Sequence, residues 1–421
     1  MSKIIAESST RPTPKKVVIT SNTTGNKVDI TAGFSFLEYH ENIFSDTNKM
    51  SYGFVDTGSN ILDGTVKEKL PLYNSEDIEF VFADGNDVEL KVKFVVDENF
   101  VADHNSTNSS VLLKCISEES LQNECEESKV KDSYQGTIAD HVKSLLTNNL
   151  KTKKNIKVDN GTNYNYIGNN HKPIYVINWL SKHDTDDKKG KTAGFLFFET
   201  SEGFQYRSID KLLSQKPKRS LIMTDSVEYN DRSYGGKIME INFANQTNAL
   251  TKLRSGIKSE LITFDPRDRK FNKKSKTEKS DANSGKDFAK FNKKFASCVT
   301  RTTFMMSDTG SQPGGKNKQQ IQSHSKKNFE ADVILNQAIT RYNEIDAQQS
   351  TVVIPGDFTL HAGDNIFIDI NSLSNLDLVD GYTGGKYMIV SLTHRMESNG
   401  VFTKLNISRD KFLRQGKPSA N

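Results

Sequence analysis

Short runs of alternating apolar and polar residues recur along most of the chain, separated by turn-forming residues. Val17, Val18 and Ile19 make one run, Val28 and Ile30 the next, with Thr24-Gly25-Asn26 between them. Residues 34–39 alternate aromatic and polar side chains, and runs at 51–57, 77–82, 88–96 and 111–116 follow. The runs at 77–82 and 88–96 flank Ala83-Asp84-Gly85-Asn86, a hairpin composition. Half a dozen short two-faced strands with turns between them predict a sandwich or small barrel with one wet face.

Beyond Glu118 the period changes. Ile138, Val142, Leu145 and Leu146 recur at helical spacing within 133–150, and Thr137 stands where an N-cap belongs, with Asp140 three residues on. Residues 175–180 carry the single tryptophan, Trp179. A β-hairpin is expected next, with Phe195, Phe197, Phe204 and Tyr206 flanking the turn Ser201-Glu202-Gly203, followed by a short helix from Asp210 to Leu213. From Arg219 the strand pattern returns at 238–243 and 258–264, with a short amphipathic run at 250–257 between.

Residues 267–325 break the pattern. Lys, Ser, Asn and Gly dominate and apolar residues are sparse, so the stretch reads as an inserted loop, partly disordered on its own. Phe329, Val333, Leu335, Ala338, Ile339, Tyr342 and Ile345 then form an apolar stripe that predicts a helix over 329–348. Strands resume at 352–354, bounded by Pro355-Gly356-Asp357, and after Ala362-Gly363-Asp364 the isoleucines 366, 368 and 370 alternate with Phe367 and Asp369. Runs at 387–392 and 401–407 meet at Ser398-Asn399-Gly400, a hairpin signal.

The chain has 421 residues, enough for two to four domains; 34% hydrophobic residues, 24 Phe and 13 Tyr supply core material despite a mean hydropathy of −0.62. Fifty-seven basic and 53 acidic residues leave a net charge of +4, too balanced to argue for nucleic acid. Cys115, Cys125 and Cys298, odd in number and without CxxC, argue against a disulfide framework or zinc site and fit a reducing compartment. No apolar run at the N-terminus suits a signal peptide, and none elsewhere approaches a membrane span, so a cytoplasmically assembled protein with no membrane partner is expected.

The search for chemistry is mostly negative. GxSxG, HExxH and Walker A patterns are missing, and Gly310 to Gly315 lacks the GK[ST] ending because Asn317 follows Lys316. His183, Asp184, Asp186 and Asp187 lack calcium-loop spacing and read as a solvated turn. His394, inside a strand, reads as structural. No catalytic, cofactor-binding or metal-binding residues are expected, and no cofactor. Lys273, Lys274, Lys276, Lys290, Lys293 and Lys294, interleaved with Phe271, Phe288 and Phe291, form a basic run suited to a subunit contact or, alternatively, to nucleic acid.

The ordered series in 351–412 resembles the C-terminal barrel of the baseplate hub of contractile-tailed phages, the T-even-type central hub and late-control-protein-like family. It rests on Gly356, Asp357, Leu360, Gly363, Asp364, Ile366, Gly385, Tyr387, Ile389, Val390, His394, Phe402, Thr403, Leu405, Arg409 and Asp410. The helix, tryptophan segment and aromatic hairpin of 133–213 look like the small middle α/β domain of such hubs, and the run from Leu250 to Asp265-Pro266 resembles a hub segment too. The resemblance implies a mainly β chain with an α+β middle domain: a flexible arm (1–14), a first β-barrel (15–125), a middle α/β domain (126–214), and a second, similar barrel split into 215–266 and 345–415. A lysine-rich insertion and helix (267–344) would interrupt that second barrel.

It also implies a non-enzymatic structural subunit of the virion baseplate. As a homotrimer, two tandem barrels per chain would give a ring of six modules joining a three-fold central spike to a six-fold tail tube. The implied partners are the spike, the tube initiator or first tube ring, baseplate wedge proteins and the tape measure, with DNA only passing through the channel. A tail-borne cell-wall hydrolase and a nucleic-acid-binding module are the alternatives.

Overall fold

The computed structural model describes residues 14–58, 64–70, 72–105, 107–186, 193–223, 236–246, 258–265, 269–277, 286–287, 301–306, 338, 341–342, 345, 348–372, 375–379, 383–409 and 411–412. The expected arm at 1–14 falls outside these except for Pro14, which already belongs to a strand. So do the run at 250–257, the glycines 310–315 and Cys298.

The first strands are β1 (Pro14–Thr20), β2 (Lys27–Asp29), β3 (Phe34–Asn42), β4 (Lys49–Asp56), β5 (Asp77–Ala83), β6 (Glu89–His104) and β7 (Ser109–Ile116), with a single helical turn α1 (Val66–Lys69) between β4 and β5. Burial alternates most clearly in β5, where Ile78, Phe80 and Phe82 point inward, whereas β6 is exposed or half-buried on both faces from Asp97 to His104. Their inner faces make one core containing Tyr39, Tyr52, Phe54, Phe80, Phe82 and Phe94.

A mixed region follows, with α2 (Glu118–Glu124), β8 (Ser133–Tyr134), α3 (Ile138–Ser144), β9 (Ile156–Val158), β10 (Tyr166–Ile167), α4 (Pro173–Ser181), β11 (Phe195–Thr200), β12 (Gly203–Ser208) and α5 (Ile209–Ser214). The helix expected over 133–150 is shorter: Ser133 and Tyr134 pair as β8 with β10, and a π-helical turn, Leu145–Asn149, ends α3. Thr137 caps it as the sequence indicates, accepting from the Asp140 N–H at 3.2 Å. Trp179 lies on α4, whose first turn carries Pro173, a residue that needs no N–H partner there. The aromatic hairpin forms in the expected register, Phe197 opposite Tyr206. Its turn requires Gly203, at φ +118°, because a Cβ there would lie 2.2 Å from the Asn155 carbonyl oxygen.

The third group is β13 (Arg219–Ile222), β14 (Gly236–Lys237), β15 (Glu240–Gln246), β16 (Lys258–Asp265), β17 (Lys270–Thr277), β18 (Lys286–Asp287), β19 (Arg301–Met306), β20 (Gln348–Pro355), β21 (Asn365–Asp369), β22 (Asn371–Ser372), β23 (Asn375–Val379), β24 (Gly385–Glu397), β25 (Gly400–Arg409) and β26 (Lys411–Phe412). The described part of the lysine-rich stretch is not loop: β17 pairs antiparallel and β19 parallel with β16 in a sheet of their own. Ala338, Arg341, Tyr342 and Ile345 are helical, with Ala338 and Ile345 buried, whereas Gln348 has already entered β20. All of β21 is buried, Phe367 and Asp369 included, so its alternation does not mark a wet face.

The strand order is the main architectural finding. The first set runs β2-β1-β5-β6-β7-β4-β3 and the second β14-β13-β21-β24-β25-β20-β15. Ranked by position in the chain, with the inserted β16–β19 and β22–β23 set aside, both read 2-1-5-6-7-4-3. The last four pairings of that series are antiparallel in both. The sets differ at one end, where β1 runs antiparallel to β5 and β13 runs parallel to β21.

In each set the two outermost strands are consecutive in the chain, so a short corner brings the edges together. Ile30, after β2, donates to Val17 and accepts from Tyr52 Oη at 3.2 Å, and Ile238, after β14, donates to Ile222 while Met239 donates to Val353. Both isoleucines are buried. The expected closed barrels do not form: no ladder joins β2 to β3 or β14 to β15 among the described strands. The edge of β3 that closure would need is occupied by β24, so the two sets share one large sheet.

Candidate functional site

Three regions meet at β3, the β11–β12 turn and the segment between β20 and β21, and the meeting point is polar. Glu41 follows Leu37 and Tyr39 on the inward face of β3 and is 1% exposed. A carboxylate in that position must find donors or lose its charge. Its Oε1 accepts from Tyr39 Oη at 2.8 Å and from the Ser201 N–H at 2.6 Å, and its Oε2 from the Ala362 N–H at 2.9 Å. His361 Nδ1 lies 3.5 Å away, while its Nε2 faces Glu202 at 3.4 Å.

Burial alone would favour neutral His361, but its bonds to Glu202 and Glu41 prevail and lift its pKa to about 10. Burial likewise opposes the Glu41 charge, and His361 with the two N–H donors outweighs it, holding Glu41 below the ordinary carboxylate range. The bond to His361 draws Glu202 down to about 2. Ser201 Oγ stands 3.2 Å from His361 Nδ1, so serine, histidine and glutamate meet as in a nucleophile triad. An imidazole protonated through neutral pH has no lone pair to accept the serine proton, so the arrangement works as an ionic clasp.

The network continues through Tyr39 Oη to Asn48, 2.8 Å away, and from the Asn48 N–H to Glu199 Oε2 at 2.9 Å. Glu199 Oε1 accepts from Lys154 Nζ at 2.6 Å and from Ser117 Oγ at 2.9 Å, and Lys154 also reaches Glu119 at 2.5 Å. Burial works against the Lys154 charge, but Glu199 and Glu119 overcome it and raise its pKa. Two carboxylates share this one ammonium: Glu119 is drawn down by Lys154 in spite of burial, whereas deeper burial raises Glu199.

Around this network Ile43, Leu196, Phe198, Ile209, Leu212, Ile345, Ala362 and Met388 form an apolar cluster drawn from all three regions. Gly363, at φ +88°, lets the chain pass Phe198. A second clasp joins the two strand sets. Asp84 accepts from Asn86 and Val88 within its own turn and from the Phe358 N–H at 3.1 Å. Within the second set, Asp357, next to Phe358, accepts from Arg219 Nε at 3.0 Å.

β24 is the covalent counterpart of these clasps. Its first half pairs with β21 (Met388 opposite Asn365), a bulge falls between Ile389 and Ser391, and its second half pairs with β3 on the same edge, from Ser391 opposite Asn42 to Glu397 opposite Phe36. His394, on that half, stacks on Tyr39 with ring centroids 6.0 Å apart and bonds Thr403 Oγ1 at 2.9 Å. Burial lowers its pKa to about 4, so it sits neutral within the sheet.

The acidic cluster is a correction. Asp184 is fully buried rather than solvated, accepting from the Thr162 and Thr185 N–H groups at 2.8 Å each and from Tyr206 Oη at 2.9 Å. Burial lifts it to about 6. Asp186 is buried as well, and Asp187 lies outside the described residues. No group of three or more His, Cys, Asp or Glu suited to a metal ion occurs among the described residues.

A cleft of about 790 Å³ opens between the outer face of β1, β5 and β6 and residues 150–154. Lys16, Lys91, Lys93 and Lys153 line it, but Asp77 and Glu79 share its walls, so it presents no single-sign field. In the insertion, Phe271, Phe304 and Met306 lie exposed on β17 and β19, Phe271 against Phe264 with centroids 4.9 Å apart. Phe288, Phe291 and Lys290, Lys293 and Lys294 lie outside the described residues. No helix among the described residues is long and apolar enough to cross a membrane.

The network residues were not singled out from the sequence. The available signal was phase: Glu41 continues the inward series of Leu37 and Tyr39, and Glu199 ends the aromatic run of β11.

No family model and no curated protein matches the sequence. Solved structures do match. The 43 kDa tail protein of prophage MuSo2 from Shewanella oneidensis aligns at a TM-score of 0.56 with 9% identity, covering 95% of this chain and 99% of that one. A tail protein from Neisseria meningitidis MC58 aligns at 0.55 with 10% identity, covering 96% and 98%. Prophage tail protein gp18 from Listeria monocytogenes EGD-e aligns at 0.50 with 10% identity, covering 94% and 95%. Over nearly its whole length the chain is thus similar in fold to phage tail proteins, the resemblance first carried by the motif series between Thr351 and Phe412.

Proposed function

We propose that this chain is a structural hub subunit of a contractile phage tail baseplate. Three copies close into a ring of six β-modules, which joins a three-fold spike below to a six-fold tube above and leaves a channel for tape measure and DNA. The single observation that supports this reading most is the strand order 2-1-5-6-7-4-3, present twice in one chain. A repeated module lets a three-fold assembly present six similar units. The junction supports a structural role: its serine faces a protonated histidine, and its charges are spent on holding three regions together. The spike, the first tube ring, wedge proteins and the tape measure are the partners of this reading, and the virion tail is its place.

Light scattering on the full chain after size exclusion tests it. A trimer is expected, alone or with the spike protein, and negative-stain images of it should show six lobes around an opening. A strict monomer at every concentration, with the spike present as well, overturns the proposal.

A further inference from the structure

The two strand sets share an order, but their exposed edges are used differently. In the second set β24 pairs with β21 as far as Met388, bulges between Ile389 and Ser391, and gives the same edge to β3 from Ser391 to Glu397. In the first set β6 pairs with β5 as far as Val95 and bulges between Val96 and Glu98 against β7. Its edge from Glu98 to His104 then meets no strand among those described. The two segments are equal in length, follow equivalent bulges and each lead into a hairpin, although the β6 segment holds a second bulge between Val101 and Asp103. The partner that β24 finds in β3 has its own counterpart in β15, which pairs with β20 alone among the described strands. The chain thus contains one used copy of an edge pairing and the two separate halves of a second.

We infer that the second pairing forms between copies of this chain, the β6 edge at Glu98–His104 adding antiparallel to β15 of the next copy. The inference rests on the ring reading and specifies its contact. Carrying the β24–β3 register across through the shared pairings (Ser51 and Thr351 hold equivalent places, as do Lys114 and Asn406) puts Val101 opposite the bulge of β15 between Asn242 and Asn245, where Phe243 is the apolar side chain exposed. His394 and Tyr39, the equivalent pair within the chain, stack on one another. Val101 and Phe243 are each 39% exposed, apolar side chains that such pairing would cover. Among the described strands the outer edge of each segment has no ladder partner, and a second strand satisfies the backbone groups of such an edge. The contact is head to tail, so successive copies alternate first and second sets, the order that the proposed ring of six modules needs.

Three variants of the full chain test the contact by light scattering, with far-UV circular dichroism and thermal melting as folding controls. V101K and F243E each place a lone charge in the contact from opposite sides and are expected to leave a folded monomer where the wild type is a trimer. The double variant V101K/F243E sets the two charges opposite one another and is expected to regain the trimer. Single variants that keep the wild-type mass overturn this contact while leaving the ring intact. A double variant that stays monomeric after both singles dissociate overturns it as well. A wild type that is itself monomeric defeats the ring reading first.

Discussion

The two strand sets are one design put to different uses. Both follow one strand order, yet the link between the third and fourth strands is residues 43–48 in the first and 247–347 in the second. The short link joins β3 and β4 directly as an antiparallel pair, and it also supplies Ile43 and Asn48 to the junction. The long link carries a second small sheet and the helical residues Ala338, Arg341, Tyr342 and Ile345, and β15 still pairs antiparallel with β20, with one bulge between Asn242 and Asn245. Loop closure costs grow slowly with length, about 0.6 kcal/mol per doubling, so a module whose core is complete tolerates such an insertion. Sequence can diverge widely at a link, whereas the corner and the bulge must stay in place.

The largest expected effect lies where the first set has a feature the second does not share. Glu41→Ala removes the acceptor for Tyr39, Ser201 and Ala362 and leaves His361 half-paired. Breaking a buried ion pair from one side costs about 3–5 kcal/mol, to be read as a shift in the urea midpoint. A shift no larger than that of an exposed substitution would mean that the clasp does not hold the regions together.

The corner residues sharpen the comparison directly. Ile30→Ala and Ile238→Ala each remove a buried side chain from the place where the outer strands meet. Losses of about 2–5 kcal/mol are expected for both. Equal urea shifts support equivalence, and a silent Ile238→Ala would break it.

The smallest effect is a pH dependence. His361 is raised from an ordinary 6.5 to about 10, so the stability it contributes is complete below pH 6.5 and is lost as pH climbs towards 10. Glu202, lowered to about 2, contributes above its ordinary 4.5 and loses that contribution as pH falls towards 2. Melting temperature measured from pH 3 to 10 should therefore plateau between about 4.5 and 6.5, and His361→Gln should flatten the alkaline arm. An unchanged alkaline arm in the variant would remove His361 from the account.

Local pattern carried the strands well. The first set was legible because its inward positions are aromatic and β-branched and its turns hold Gly, Asn and Asp. The aromatic hairpin and the Thr137 cap were legible for the same local reasons. β17 was misread because Lys-Phe-Asn-Lys-Lys-Ser-Lys-Thr has the composition of a loop, and only pairing with β16 makes it a strand. Asp184 was misread because acidic clusters usually face water, whereas this one is tied down by four hydrogen bonds from distant residues and its own neighbour. The pairing of β24 with β3 joins chain segments too far apart for any local signal, and with it went the closed barrels.

The bulge in β24 has a mechanical consequence. One extra residue lets a single strand serve as the spine of both halves, so a force that slides one half past the other is taken in shear. Every rung from Ser391 opposite Asn42 to Glu397 opposite Phe36 is then loaded together, and none can be unzipped before its neighbours. A joint of that kind stays rigid until it yields as a whole, which suits the structural role proposed above.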